Sequence, residues 1–386
     1  MAFLHEDRKS FEYLLTAVSG RSGVSPAILE KDYYVTFFLE QLAQKQKSGV
    51  KAYFKGGTAL YKNLKTIGRF SEDIDIGVNT IGLSRTQNDK RLSDVTKKYE
   101  GLERLANEGV TNRQSVLAVY AYKPIFNPGN DVLDRFGKIK IEADSFTISE
   151  PTETIETSSL IYDFADKREK DILDSHFINK PFRVETIALE RMFVDKLFAA
   201  ETYINKMETE DRGLEASKHL YDITVMIKLP RIQSFLSNES ELERIVGIRF
   251  AEEMTRLGGI GGLQPKDFKM FDKIKNNERL KDEFTKMEEI YVVFDKYKFG
   301  FKTVNDSLDR LHGVLLYNSS WTKEYPVSSL NKIDNKVMEE PYSSVTEKDI
   351  QSAKIKQEER IRRARLEASR KRREKAEHGR KPSTRK

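Results

Sequence analysis

The chain has 386 residues, 38% of them hydrophobic, which is enough to build a sizeable core and suggests two packed domains with appendages. It has no cysteine, which excludes disulfides and thiolate metal sites. The net charge of +6 is concentrated at one end, where residues 347–386 hold 16 Lys and Arg against 7 Asp and Glu.

From the N-terminus, "SFEYLLTAVSGRSGVSPAILEKDYYVTFFLEQLAQKQ" reads as two helices, with Ser25 and Pro26 as N-cap and first helical residue of the second. "KAYFKGG" reads as a short strand ending in glycines, and "TALYKNLKTI" as one or two helical turns. "SEDIDIGV" reads as a second strand by alternation. Residues 84–108 are polar and helical in pattern. "SVLAVYAYKPIF" and "GKIKIEADSFTI" are expected strands on either side of the turn "NPGND". "SSLIYDF" is a further strand candidate. From Arg183 to Leu229 the pattern is helical, and Pro230 ends it. Residues 231–316 read as further helices, interrupted by a loop at "RLGGIGGLQPKDF". Residues 317–346 are turn-rich. From Glu347 the chain is charged and nearly free of aliphatics, which predicts a solvated helix or a disordered tail. No leader pattern or membrane-length apolar run is present, so a cytoplasmic protein with no membrane partner is expected.

In "SEDIDIGV", alternation places Asp73 and Asp75 on one strand face and Ile74 and Ile76 on the other. Two carboxylates one pleat apart repel each other and need a compensating cation. Hard oxygen ligands at this spacing suit Mg²⁺ or Mn²⁺ shared with phosphate oxygens. Upstream, Gly56, Gly57 and Thr58 open a helix whose free N–H groups and positive dipole end form an anion site. Metal carboxylates facing a phosphate cradle are the components of in-line phosphoryl or nucleotidyl transfer. Taken singly, a Gly-Gly pair is also an ordinary turn, and Asp-x-Asp an ordinary solvated strand rim.

"KIKIEADSF" supplies a third acid. Lys138, Lys140, Glu142 and Asp144 share one strand face, opposite Ile139, Ile141 and Ala143. Either Glu142 or Asp144 could complete a metal site, and a solvated charged face is the alternative. In "VETIALERMFVDKLFAAETY", Lys196 falls within the apolar stripe of Leu189, Met192, Phe193, Leu197 and Ala200. A lysine there either snorkels to the surface or points into a site. In "KHLYDITVMI", Asp222 lies at the margin of an apolar face, as a structural ion pair or as part of a site.

"EKDYYVT" at 30–36, "FKGGTAL" at 54–60, "GRFSEDIDI" at 68–76, the Lys196 helix and "KHLYD" at 218–222 together resemble the AbiEii/AbiGii toxin nucleotidyltransferases. These are the toxin halves of type IV toxin–antitoxin and phage abortive-infection systems. The resemblance covers about the first 230 residues, and "SEDIDI" after "GGTAL" is its specific part. It implies an α+β fold: a polymerase-β-like nucleotidyltransferase core of a small mixed sheet with helices, over 1–230. A mainly helical C-terminal domain would span 231–346 and the basic tail 347–386. It implies Mg²⁺ (or Mn²⁺), a nucleoside triphosphate donor, a cognate antitoxin and an RNA acceptor, tRNA in some members. Gly56, Gly57 and Thr58 would form the phosphate loop, and Ser71 would contact phosphate or position that loop. Asp73 and Asp75 would hold metal, with Glu142 as the third carboxylate. Lys196 would bind triphosphate, and Asp222 would match a later acidic motif. The basic tail would add salt-dependent RNA affinity or act only as a solubilising segment.

The chain departs from the pattern at several points. Gly57 replaces the Ser of the broader superfamily, and 15 residues separate Gly57 from Asp73, a long gap. His219 stands where many relatives have Asp, and the third acid is Glu. The rival functions are an NTP- or RNA-binding module without transfer, and nucleotidylation of a protein hydroxyl.

Overall fold

The computed structural model describes residues 3–65, 68–112, 114–126, 135–146, 148–177, 180–256 and 263–325. The basic tail, the "NPGND" turn, most of the turn-rich stretch 317–346 and part of the expected loop "RLGGIGGLQPKDF" therefore lie outside the described residues.

Two helices come first, α1 (Arg8–Ser22) and α2 (Pro26–Lys47), with Pro26 at the first turn as the sequence predicts. The remaining elements follow in this order: β1 (Ala52–Lys55), α3 (Gly56–Leu64), β2 (Ile74–Val78), α4 (Arg85–Thr96), β3 (Glu103–Arg104), β4 (Val110–Thr111), β5 (Ser115–Ala121), β6 (Lys138–Asp144), β7 (Thr152–Thr157), α5 (Leu160–Phe164), α6 (Lys167–His176) and β8 (Phe182–Ile187). The strands form one open mixed sheet in the order β3-β5-β6-β2-β1-β8-β7, with β4 against β5. β2 runs antiparallel to β1 and parallel to β6, while β5 and β6 pair antiparallel from Ser115↔Asp144 to Ala121↔Lys138.

Alternation along these strands divides the two faces. Phe54, Ile74, Ile76, Ile139, Ile141 and Ala143 are all buried. α2 and α4 pack on the sheet, and an aromatic group of Phe38, Tyr99 and Tyr120 fills the space between them, with Phe38 and Tyr120 centroids 4.8 Å apart. Fully burying each such side chain stabilises the fold by about 1.5–3 kcal/mol. The acids of β2 and β6 are left to the other face.

Three local expectations are corrected. "SSLIYDF" is helical: the Ser159 hydroxyl caps α5 by accepting from the Tyr162 N–H at 3.2 Å, and the strand is the preceding segment, β7. The segment from Arg183 begins as strand, because Val184 and Thr186 alternate inward and Thr186 pairs with Phe54 of β1. The polar helix from residue 84 stops at Thr96, and Glu103–Arg104 joins the sheet edge.

Beyond the sheet come α7 (Leu189–Lys206), α8 (Gly213–Met226), α9 (Pro230–Ser237), α10 (Glu239–Arg256), α11 (Met270–Lys273), α12 (Glu278–Tyr291), α13 (Gly300–Leu316) and α14 (Ser319–Thr322). Pro230 opens α9 rather than only ending α8; its missing N–H costs nothing in a first turn. α9, α10 and α11 pack on α7, α12 and α13 pack on α8, and α14 packs on α10 and α13. One thread ties them to the segment before β2. The Phe70 N–H donates to the Tyr291 carbonyl at 2.7 Å and the Val293 N–H to the Gly68 carbonyl at 2.8 Å, around an Arg69↔Val292 bridge. Among the described residues no helix is long and apolar enough to cross a membrane.

Candidate active site

The sheet sets the acids in a row. Lys55 ends β1 opposite Asp75, and Asp75 lies in register with Glu142 on the next strand. Asp73 sits just before β2 and is exposed, as is Glu142, while Asp75 is half-buried. Asp144 is buried and pairs with the Lys55 ammonium at 2.5 Å. Of the two sequence candidates for a third carboxylate, Asp144 is thus committed to Lys55, and Glu142 stands beside Asp75.

Burial pushes the Asp75 carboxyl up to about 7; Lys55 opposes this, Asp73 and Glu142 reinforce it by repulsion, and Lys196 again opposes it. The raised value keeps the carboxyl neutral in the fold across the range in which an ordinary Asp ionises. In the protein without added metal, Asp75 should therefore contribute a loss of stability as the pH rises from about 4, the ordinary Asp range, to about 7, and no further loss above that. Asp75→Asn should remove this contribution. The difference in unfolding free energy between variant and wild type, measured in urea, should grow from near zero at acid pH to on the order of 1–3 kcal/mol at alkaline pH, after allowance for solvent screening. A constant difference across the range would count against the assigned environment.

α3 starts at Gly56, so its first N–H groups lack intrahelical acceptors and meet the acid row. Gly56 has φ +78°, and a Cβ there would lie 2.1 Å from the Asp75 Oδ2. Only glycine supplies both that backbone and that approach. A Cβ on Gly57 would lie 2.8 Å from the Arg69 Nη2 and from the Ser71 Oγ. The superfamily Ser at this place would not fit without movement of Arg69 or Ser71. Thr58 is buried and donates to the Ser71 Oγ at 2.9 Å, which fixes the turn ahead of Asp73.

Lys196 does not snorkel. It is buried on α7 and pairs with Asp222 of α8 at 2.8 Å. The same carboxylate takes a two-pronged bond from Arg69, Nε at 2.9 Å and Nη2 at 2.8 Å. Burial alone would raise the Asp222 carboxyl; Arg69 and then Lys196 outweigh it and hold it down to about 2. Asp222 is therefore an anchor for two cations, with its oxygens already occupied by them. His219, one turn earlier, stacks on Tyr203 at 5.3 Å, and burial keeps its ring neutral.

The "EKDYYVT" segment of α2 ties together the ends of β5 and β6 and the helix α3. The Glu30 carboxylate accepts from the Ile125 and Phe126 N–H groups, with Ile125 N at 2.8 Å from Oε1. Lys31 donates to the Arg135 carbonyl at 2.8 Å and to the Lys138 carbonyl at the start of β6. Asp32 binds Lys62 of α3 at 2.6 Å. Lys31, Lys55, Arg69 and Lys218 carry no role in the sequence reading. Lys55 directly before Gly56, and Arg69 three residues before Glu72, were signals of position only; their carboxylate partners are 89 and 153 residues away.

A divalent cation fits this donor set. The Asp75 carboxylate is repelled by Asp73 and Glu142, a charge excess that a cation would relieve. Among the described residues no group of three acid or histidine side chains converges on one ion position.

A search of the curated proteins and one of the solved structures found no match to this chain. A family model described as "Nucleotidyl transferase AbiEii toxin, Type IV TA system" matches residues 38–302. That span carries the acid row, the Gly56–Gly57 turn, Lys196 and Asp222, together with the helices through the start of α13. The chain belongs to the AbiEii family of nucleotidyl transferase toxins of type IV toxin–antitoxin systems.

Proposed function

We propose that this protein is a divalent-metal-dependent nucleotidyltransferase on a polymerase-β-like core that moves a nucleotide from an NTP to the 3′ end of an RNA, with tRNA as the acceptor. The observation that carries the reading is the row Lys55–Asp75–Glu142 across three strands, set against the N-terminus of α3 and flanked by Asp73. Mg²⁺, or Mn²⁺, held by Asp73 and Asp75 with Glu142 alongside, supplies charge neutralisation of the triphosphate when bound.

The chain's own groups do the rest. The Gly56, Gly57 and Thr58 N–H groups cradle phosphate oxygens, and Ser71 keeps that turn in place. Glu142, exposed beside Asp75, accepts the proton of the acceptor hydroxyl. The hydroxyl oxygen then bonds the α-phosphorus, the α–β bridge bond breaks, and pyrophosphate departs. Lys196, aligned by Asp222, offsets the charge that builds on pyrophosphate. Asp222 is a positioning residue in this scheme.

Lys196→Ala should raise the KM for NTP and lower turnover by about 10²-fold. It should cost only about 1 kcal/mol of stability, because Asp222 keeps both bonds from Arg69. Unchanged NTP kinetics would return Lys196 to a purely structural role. The function itself is tested by incubating the protein with each labelled NTP, Mg²⁺ and total RNA, then separating RNA from protein. Label in RNA is the expected result. Label in protein would replace the acceptor, and no label with any NTP would leave a binding module.

A further inference from the structure

The acid row continues across the sheet. Lys55, Asp75 and Glu142 stand in register on β1, β2 and β6; Glu142 faces Leu117 on β5, and Leu117 faces Val110 on β4. Directly paired residues point to the same side of a sheet, so Leu117 and Val110 extend the acid face beyond Glu142. Leu117 is half-buried and Val110 is 50% exposed. α4 covers the opposite face, where its last residue, Thr96, accepts from the Tyr120 hydroxyl at 2.8 Å. An aliphatic pair is thus left open beside Glu142.

The lysines of this face differ. Lys55 is held by Asp144, and Lys138 by Glu108 at 3.0 Å. Lys140 is exposed, and among the described residues no carboxylate lies within ion-pair distance of it. It pairs with Val119 of β5 and precedes Glu142 by two residues, a step of about 7 Å along the same strand face. That is the scale of one nucleotide in an extended strand. The sheet order sets β2 between β1 and β6. The phosphate cradle at Gly56 follows β1 and Glu142 lies on β6, so the two flank Asp75. In-line displacement puts the entering oxygen and the leaving pyrophosphate on opposite sides of the α-phosphorus. With the triphosphate on the β1 side, the entering strand lies over β6, β5 and β4.

We propose that Lys140 and the Leu117–Val110 pair seat the 3′ end of the single-stranded acceptor RNA. Lys140 takes a phosphodiester next to the terminal hydroxyl, and the aliphatic pair takes the apolar face of a terminal nucleoside. The seat rests on the nucleotidyl-transfer reading above, in which Glu142 accepts the proton of the acceptor hydroxyl. The exposed cation favours RNA over a protein acceptor, which brings no phosphate. The same phosphate chemistry could also come from the donor triphosphate, so both ligands are measured.

The full-length wild type, Lys140→Ala, Lys140→Arg, Val110→Ser and Lys90→Ala are titrated with a fluorescent single-stranded RNA bearing a free 3′ hydroxyl, across a KCl series. Lys90 is exposed on α4, so its variant makes the same charge change on the opposite face of the sheet. In parallel all are titrated with a non-hydrolysable fluorescent NTP analogue and Mg²⁺. Lys140→Ala should lose about five- to tenfold in RNA affinity and lower the log–log salt slope by ~0.7. Val110→Ser should lose about threefold with the slope unchanged. Lys90→Ala should match the wild type. Lys140→Arg should retain affinity and slope, and analogue binding should stay within about twofold in all, which also certifies the fold. Any contribution of the basic tail is common to all these proteins and cancels in the differences. Unchanged RNA affinity in Lys140→Ala or in Val110→Ser, while the wild type still labels RNA in the transfer assay, would overturn the seat alone. Equal losses in Lys140→Ala and Lys90→Ala would overturn it too, as an effect of overall charge. Weakened analogue binding with RNA binding intact would assign Lys140 to the triphosphate instead. A wild type that binds the analogue but no RNA, and labels protein, would overturn the RNA-acceptor reading first, and the seat with it.

Discussion

Asp222→Ala should cost about 3–5 kcal/mol of unfolding free energy, more than any other single change at the site. The substitution leaves Arg69 and Lys196, whose side chains are only 4% and 8% exposed, without the carboxylate that both of them bind. A domain of ordinary stability, ~5–15 kcal/mol, would be brought close to unfolding. The loss should extend beyond α8, because Arg69 also belongs to the segment that bridges Tyr291–Val293. The depressed Asp222 gives the complementary pH result. Its ordinary value is 3.8 and its folded value about 2, so its stabilisation is fully present above about pH 4 and is lost as the pH falls through that window. Urea unfolding of Asp222→Ala and of Asp222→Ala/Lys196→Met checks the origin of the cost: removing the second charge should recover part of it. A cost below 1 kcal/mol in the single variant would mean that the pair contributes little.

Asp73→Asn should reduce nucleotide transfer by about 10³-fold or more while leaving the fold intact. Asp73 is exposed and sits just ahead of β2, so its loss removes no packing. It does remove one of the charges that raise Asp75, so the melting temperature without metal should stay level or rise. Mg²⁺ should stabilise the wild type more than the variant, since the variant loses one ligand and the repulsion that the ion relieves. Thermal melting with and without Mg²⁺, read beside transfer rates, separates these effects. Near-wild-type transfer by Asp73→Asn would remove Asp73 from the proposed centre.

The parts of the site that a short stretch of chain can encode were readable from the sequence. Alternation in "SEDIDI" separates Asp73 and Asp75 from Ile74 and Ile76, and alternation in "KIKIEAD" puts Glu142 on a charged face. The pairing of β2 with β6, which brings Asp75 beside Glu142, is a long-range choice that no local pattern specifies. For the same reason Lys55 and Arg69 went unassigned: a lysine at a strand end and an arginine in a loop acquire their meaning from Asp144 and Asp222. Lys196 was ambiguous because an apolar stripe with one cation fits both a surface and a buried partner; Asp222 on α8 decides it. β7 and β8 were missed where strand residues adjoin a strong helical pattern, and pairing with β1 overrides the local preference of "VETIALERMF".

The proposed activity of the acid row is transfer of a nucleotide rather than of a phosphate. It is tested most directly by supplying RNA and Mg²⁺ with an NTP labelled at either the α- or the γ-phosphate, using wild type and Asp73→Asn. Nucleotidyl transfer gives α-label on the RNA 3′ end, γ-label only in released pyrophosphate, and neither product from the variant. γ-Label on the acceptor, or α-label transferred equally by Asp73→Asn, would contradict it.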